Sequence, residues 1–167
     1  MEEFNILKRL MVHFHLLKPT LIKQDNWYPL ARGFIKCNMD GGAEGSLGHA
    51  TCGGLFRDSS KTFLGEFVSY IGIKTALHAK LIIIMRVIGH KHDAGWRKLW
   101  LECDSKLVLN AFGNTQIVPW DICGRWRHCL PLCSHMYFLH SHIYREGNQC
   151  ANKLVGFGLK HKILYKW

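Results

Sequence analysis

Acidic side chains are scarce in this chain: 12 Asp and Glu stand against 22 Lys and Arg, for a formal charge of +10 over 167 residues. A surface of that sign favours polyanions, so nucleic acid is the natural class of partner, against the plainer reading of a basic surface with no dedicated ligand. Tight cysteine pairs of the CxxC kind are missing as well. Cys129 and Cys133 stand one helical turn apart near His128, His135 and His140. Zinc sites usually announce themselves with closer pairs, so packing on one helix face is favoured over a structural zinc. No apolar run reaches the roughly 20 residues of a membrane helix. The stretch from Met11 to Leu17 is short, is flanked by Arg9 and Lys18, and lacks the layout of a secretory signal. The expectation is a monomeric intracellular protein, nuclear or cytoplasmic, with no membrane partner and with its seven cysteines reduced. Internal repeats and low-complexity tracts are absent too.

What is present is a globular composition. Apolar residues make up 48% of the chain, too many for a disordered protein, and 167 residues suit one domain with some tail. Residues 1–30 read as a tail or linker, with Pro19 and Pro29 bracketing a polar stretch and a short helix considered over residues 4–17. The domain proper is expected over residues 31–160, and residues 161–167 as a basic C-terminal tail. Alternation predicts a first strand over residues 32–40, with Ile35, Cys37 and Met39 on one face and Lys36, Asn38 and Asp40 on the other. The glycine-rich segment from Gly41 to Gly48 reads as a turn, followed by strands over residues 50–57 and 62–71. Leu77, Leu81, Ile84 and Ile88 then mark one buried helix face, which Gly89 and Gly95 close. A fourth strand over residues 98–103, helices over 106–112 and 121–132, a fifth strand over 136–144 and a helix over 148–159 complete the order. Three hairpin-linked strands followed by alternating elements imply an α/β fold: a five-stranded mixed sheet flanked by helices.

Asp40 and Asp104 each end a strand at a turn, in Lys36-Cys37-Asn38-Met39-Asp40-Gly41 and Leu101-Glu102-Cys103-Asp104-Ser105. Carboxylates at strand ends can hold divalent metal, and metal held there can cut phosphodiester bonds. Together with Cys52-Gly53-Gly54-Leu55-Phe56-Arg57-Asp58 and His142-Ile143-Tyr144-Arg145-Glu146-Gly147-Asn148, these stretches resemble the ribonuclease H fold. The form they resemble is the one fused to plant non-long-terminal-repeat reverse transcriptases and also found as stand-alone plant proteins. The resemblance covers about residues 27–159. It implies cleavage of the RNA strand of RNA–DNA hybrids, with two magnesium ions held by four carboxylates. By position the first and third carboxylates are Asp40 and Asp104. The second belongs in an Ala-Glu-Leu element, which here reads Ala79-Lys80-Leu81, and the fourth in an Ala-Asp-x-Leu element, which here reads Ala151-Asn152-Lys153-Leu154.

Those two replacements change the charge of the expected site from −4 to −1, because Asn152 is neutral and Lys80 is positive. A pair of ions about 4 Å apart needs hard anionic ligands, so at most one weakly held magnesium and impaired cleavage are expected. Lys80 reads either as an ammonium paired with Asp40 or Asp104 in place of metal, or as a surface residue of a chain no longer selected for activity. Glu102, on the same strand face as Asp104, is a less favoured replacement ligand. His142 lies where some family members place a histidine that assists proton transfer or product release; the other reading is a strand-end histidine bonded to backbone. Arg145, Glu146 and Asn148 shape the turn and cap the last helix. Lys36, Lys80, Arg125 and Arg127 are the basic candidates for phosphate contacts, and Asn38, Gly41 and Gly42 lie beside the expected groove. Three roles compete: a hybrid endonuclease, a non-catalytic nucleic-acid-binding module, and a retroelement relic cut from a longer reading frame.

Overall fold

The computed structural model describes residues 32–166, so the tail and the helix considered within residues 1–30 lie outside the described residues. The elements run β1 (Ile35–Ala43), β2 (Gly48–Arg57), β3 (Phe63–Lys74), α1 (Ala76–Asp93), β4 (Lys98–Cys103), α2 (Lys106–Asn110), a 3-10 turn (Thr115–Ile117), α3 (Trp120–Ser134), β5 (Tyr137–His142), α4 (Gln149–His161) and β6 (Leu164–Lys166). The strands form one sheet in the order β5-β4-β1-β2-β3-β6. The β1–β2, β2–β3 and β3–β6 pairs are antiparallel, and the β1–β4 and β4–β5 pairs are parallel. This is the expected mixed five-stranded sheet, lengthened at the β3 edge by three residues of the segment read as a basic tail. None of the described helices is long and apolar enough to cross a membrane.

Two boundaries differ from the reading of the sequence, and both involve glycine. The segment from Gly41 to Gly48 is not one turn: β1 continues through Gly41↔Cys52, Gly42↔Thr51 and Ala43↔Ala50 before the chain reverses. Glycine is a poor strand former in isolation, but here cross-strand pairing and burial outweigh propensity. Likewise α1 runs through Gly89 to Asp93. A helical glycine costs about 1 kcal/mol relative to alanine, too little to end a helix whose packed face extends through Ile84, Met85 and Ile88. What ends α1 is Gly95, at φ +70°, immediately beyond the Ala94 cap. At the other end the Thr75 hydroxyl accepts from the His78 amide at 3.2 Å.

The sheet is covered on both faces. Cys37 and Met39 of β1 and Leu99, Leu101 and Cys103 of β4 pack with Leu81, Ile84 and Ile88 of α1 and with Trp126 of α3. The opposite face of β1, β2 and β3 carries α4. Cys129 is part of the core, and burial pushes its thiol up to about 12. All seven cysteines are free thiols.

Gly41 is where the first helix meets the sheet. A Cβ at this position would lie 2.6 Å from the Lys80 backbone nitrogen and 2.7 Å from the Ala79 carbonyl carbon. At Gly42, on the other face, it would meet only side chains, Val155 at 3.3 Å and Leu159 at 3.8 Å. Gly41→Ala is therefore expected to destabilise the domain by about 2–4 kcal/mol and Gly42→Ala by less than about 1 kcal/mol, because backbone gives way less than a side-chain methyl. Urea unfolding of both variants checks this, and equal losses would contradict the close-approach role.

Candidate active site

Parallel pairing of β1 with β4 sets Asn38 across from Glu102 and Met39 across from Cys103. The next step in register brings Asp40, within β1, beside Asp104, just past the end of β4. Because Gly41 lets α1 approach, Lys80 arrives from the first turns of that helix directly at the acid pair. Its ammonium donates to Asp40 Oδ1 at 2.6 Å and also to Asp104 Oδ1. The Gly41 amide donates to the same Asp40 oxygen at 2.8 Å. The three side chains are only 15%, 7% and 11% exposed for Lys80, Asp40 and Asp104. Burial alone pulls the Lys80 ammonium toward its neutral form. The attraction of Asp40 and the hydrogen bonds to both carboxylates outweigh that, and its pKa stands above the usual 10.5. Lys80 is thus a fixed cation between two carboxylates and not a solvated helix residue.

The surroundings commit several candidate residues to structure. Lys36, 2% exposed, donates to Glu102 Oε1 at 2.8 Å and sits 4.2 Å from the centroid of the Trp100 ring. Asn38 donates its amide to Glu102 Oε2 at 2.8 Å. Buried charges are tolerated only when paired and hydrogen-bonded, and this trio meets that condition. Glu102 is thereby committed to Lys36 and Asn38 rather than left free for a metal, and Lys36 and Asn38 face Glu102 instead of solvent-borne phosphate. Gly41 and Gly42 are packing positions under α1 and α4. Arg125 and Arg127 are exposed on α3, on the side of the sheet opposite α4.

Around the fourth position the chemistry is again basic. With its amide oriented to satisfy its neighbours, the Asn152 carbonyl oxygen accepts from Arg145 Nε at 2.8 Å and from Nη2 at 3.3 Å. Asn148 does not cap α4 with its side chain; buried, it donates to the Met39 carbonyl at 2.9 Å and ties the start of α4 to β1. His142 ends β5, paired in register with Cys103, and its ring meets Tyr144 edge-on with centroids 5.2 Å apart. Two contacts went unforeseen in the sequence. The Lys36–Glu102 pair had one signal, a lysine and a glutamate inside strands whose neighbours are apolar. The Arg145–Asn152 contact had none beyond an interval of seven residues across a helix start.

These residues do not fit a pair of magnesium ions. An ammonium stands on the inward oxygens of both carboxylates, and the oxygen at the fourth position is turned to a guanidinium. Among the described residues no group of three or more His, Cys, Asp or Glu is placed to hold a metal.

The sheet order and flanking helices define an α/β protein of the ribonuclease H-like class. Its sequence matches the reverse transcriptase-like family over residues 38–158, and the chain belongs to that family. An Arabidopsis thaliana protein named "Putative ribonuclease H protein" is 26% identical over 144 residues, which cover 85% of this chain and 23% of that relative. The chain therefore spans about a quarter of that relative's length. Among solved structures, RNase H1 of Halobacterium salinarum superposes with a TM-score of 0.68 at 21% identity, covering 77% of this chain and 98% of its own. LC11-RNase H1, from compost, in complex with RNA/DNA hybrid gives the same TM-score and identity over 77% and 98% of the two chains. The prototype foamy virus protease-reverse transcriptase gives 0.65 at 16% identity, over 83% of this chain and 22% of its own.

Removing the ammonium leaves two buried carboxylates facing each other. Lys80→Met is expected to cost about 3 kcal/mol of stability at neutral pH, the scale for breaking one partner out of a buried ion pair. The deficit shrinks in strong base. A lysine with a raised pKa contributes fully below its unfolded value of 10.5, and that contribution is lost as pH rises through the folded value above it. Chemical denaturation of both proteins from neutral to strongly basic pH checks this; a deficit unchanged through the Lys80 titration would contradict it.

Proposed function

We propose that this chain is a ribonuclease H-type domain that holds nucleic acid, RNA–DNA hybrid in the first instance, and cleaves it poorly or not at all. One observation carries the reading: the Lys80 ammonium bridges Asp40 of β1 and Asp104, just past β4. Where the resemblance implies two magnesium ions, an ammonium supplies positive charge without Lewis acidity. It balances the carboxylates and lets the helix close on the sheet, but it does not acidify a water or polarise a phosphoryl oxygen. Asn152, engaged by Arg145, adds a neutral oxygen and no charge.

Binding then draws on the rest of the surface. The chain's excess of 10 positive charges favours a polyanion, and the exposed Arg125 and Arg127 are available for phosphate. Hybrid duplexes are read by shape, phosphate and 2′-hydroxyl contacts more than by base sequence. Proteins of similar fold support this substrate class: LC11-RNase H1 and the foamy viral protease-reverse transcriptase are both known in complexes with RNA/DNA hybrid, at TM-scores of 0.68 and 0.58. His142, beside the end of β4, remains the candidate for proton transfer in any residual reaction.

A labelled hybrid tests both halves. The wild-type chain is expected to bind it equally with magnesium or chelator and to lose affinity about tenfold or more between 50 and 200 mM salt, as phosphate contacts do. It is expected to leave the hybrid uncut. Lys80→Glu combined with Asn152→Asp restores the four acids and is expected to raise magnesium-dependent cleavage by about 100-fold or more, the scale of a metal-centred catalytic contribution. Wild-type cleavage as fast as that of the double variant would overturn the impairment, and absence of salt-sensitive binding would overturn the partner.

A further inference from the structure

The outer face of α3 carries an open aromatic ring and an open guanidinium. Ile122, Trp126 and Cys129 are the buried residues of this helix and turn toward the core. At about 3.6 residues per turn, Trp120, Gly124 and Arg127 fall together on the opposite side. Trp120 is 90% exposed, the most open large apolar side chain among the described residues, and its ring packs on no other ring there. Arg127 is exposed and has no ion-pair partner among the described residues. It stands two turns, about 10 Å, further along the helix. At Gly124, between them, even a Cβ would meet nothing within 4 Å, so no side chain rises between ring and cation.

The one acid beside the ring is already taken. Asp121 accepts from Lys74 at 2.9 Å and meets His78 Nε2 at 3.0 Å. Its charge is balanced within the protein and leaves Arg127 uncancelled. The same two contacts tie the first turn of α3 to the start of α1, two residues ahead of Lys80, so the ring is carried on a fixed element. An indole left in water has a broad apolar face to bury on a partner. The neighbouring arginine and the chain's charge of +10 select a polyanion over an apolar protein surface.

We infer that the outer face of α3 binds single-stranded nucleic acid, with an unpaired base stacked on Trp120 and a phosphate further along the strand on Arg127. Every base has a flat face that an aromatic ring can take, and the guanidinium fork fits phosphate oxygens. Bases inside a hybrid are paired and stacked on one another, so the strand held here is a single-stranded stretch adjoining the duplex. The choice of nucleic acid as partner rests on the function proposed above, but this face shares no residue with the Asp40–Lys80–Asp104 cluster.

Fluorescence anisotropy of the full chain tests it with a labelled blunt hybrid, the same hybrid with a five-nucleotide overhang on its DNA or its RNA strand, one with an abasic overhang, and the free five-nucleotide strand. A base-bearing overhang is expected to tighten binding about tenfold over the blunt hybrid, the scale of one base stacked on an aromatic ring. The abasic overhang is expected to lose most of that gain. Trp120→Ala is expected to abolish the gain with blunt affinity and thermal melting unchanged, and Trp120→Tyr to keep most of it. Arg127→Gln is expected to lower the salt slope of overhang binding by about 0.7, the share of one phosphate on a single strand. A gain on the DNA overhang, the RNA overhang or both supports the site and tells which strand it holds. The inference is overturned if the blunt hybrid binds and no overhang adds to it, if an abasic overhang adds as much, or if Trp120→Ala keeps the full gain. Binding of the free strand that Trp120→Ala abolishes, with no binding of the blunt hybrid, sinks the hybrid reading and leaves this one standing; binding of neither sinks both.

Discussion

The ammonium of Lys80 is what allows two buried carboxylates to share the head of this sheet. Side by side and nearly shut off from solvent, Asp40 and Asp104 would repel each other through a medium that screens poorly. Something positive must stand between them, and the resemblance implies that the family uses metal for this. Here the cation is covalently part of the chain, delivered by α1, and it is present at every magnesium concentration. Folding and charge balance are thereby uncoupled from metal binding.

The rest of the architecture serves this contact. Parallel pairing of β1 and β4 aligns the two carboxylates, and a glycine at the next position of β1 lets the helix backbone come close enough for one lysine to reach both. Below them the Lys36–Glu102–Asn38 trio neutralises the next layer of the same sheet face. Asn148 ties the start of α4 to the Met39 carbonyl, and Arg145 takes the Asn152 oxygen. Asp40, Asp104 and Asn152 each meet a cationic side chain of the protein.

Further along α1, Arg86 and Lys91 line a separate cavity. One end of the helix carries a cation buried against acids, and further along it presents cations beside aromatic rings. Burial decides the difference: at the sheet end the positive charge is consumed by its partners, and along the β3 edge it is held at a wall that opens to solvent.

Much of this was legible in the chain alone. Strand alternation around Cys37 and Met39, the four-three-four spacing of Leu77, Leu81, Ile84 and Ile88, and the motifs around Asp40 and Asp104 were enough for the sheet, the helix and the class of fold, although β1 runs on past Asp40 to Ala43. That Lys80 and Asn152 stand where the resemblance implies acids was also visible, because it needs only residue identity and order. Tertiary structure decided where those groups point. Whether Lys36 meets solvent or Glu102, whether Glu102 is spare, and whether Asn152 turns to a metal or to Arg145 all depend on contacts between residues far apart in sequence. Local pattern carries no information about such contacts. Gly41 shows the same division: its sequence context suggests a turn, and only the packed helix above it makes it a strand residue that has no room for a side chain.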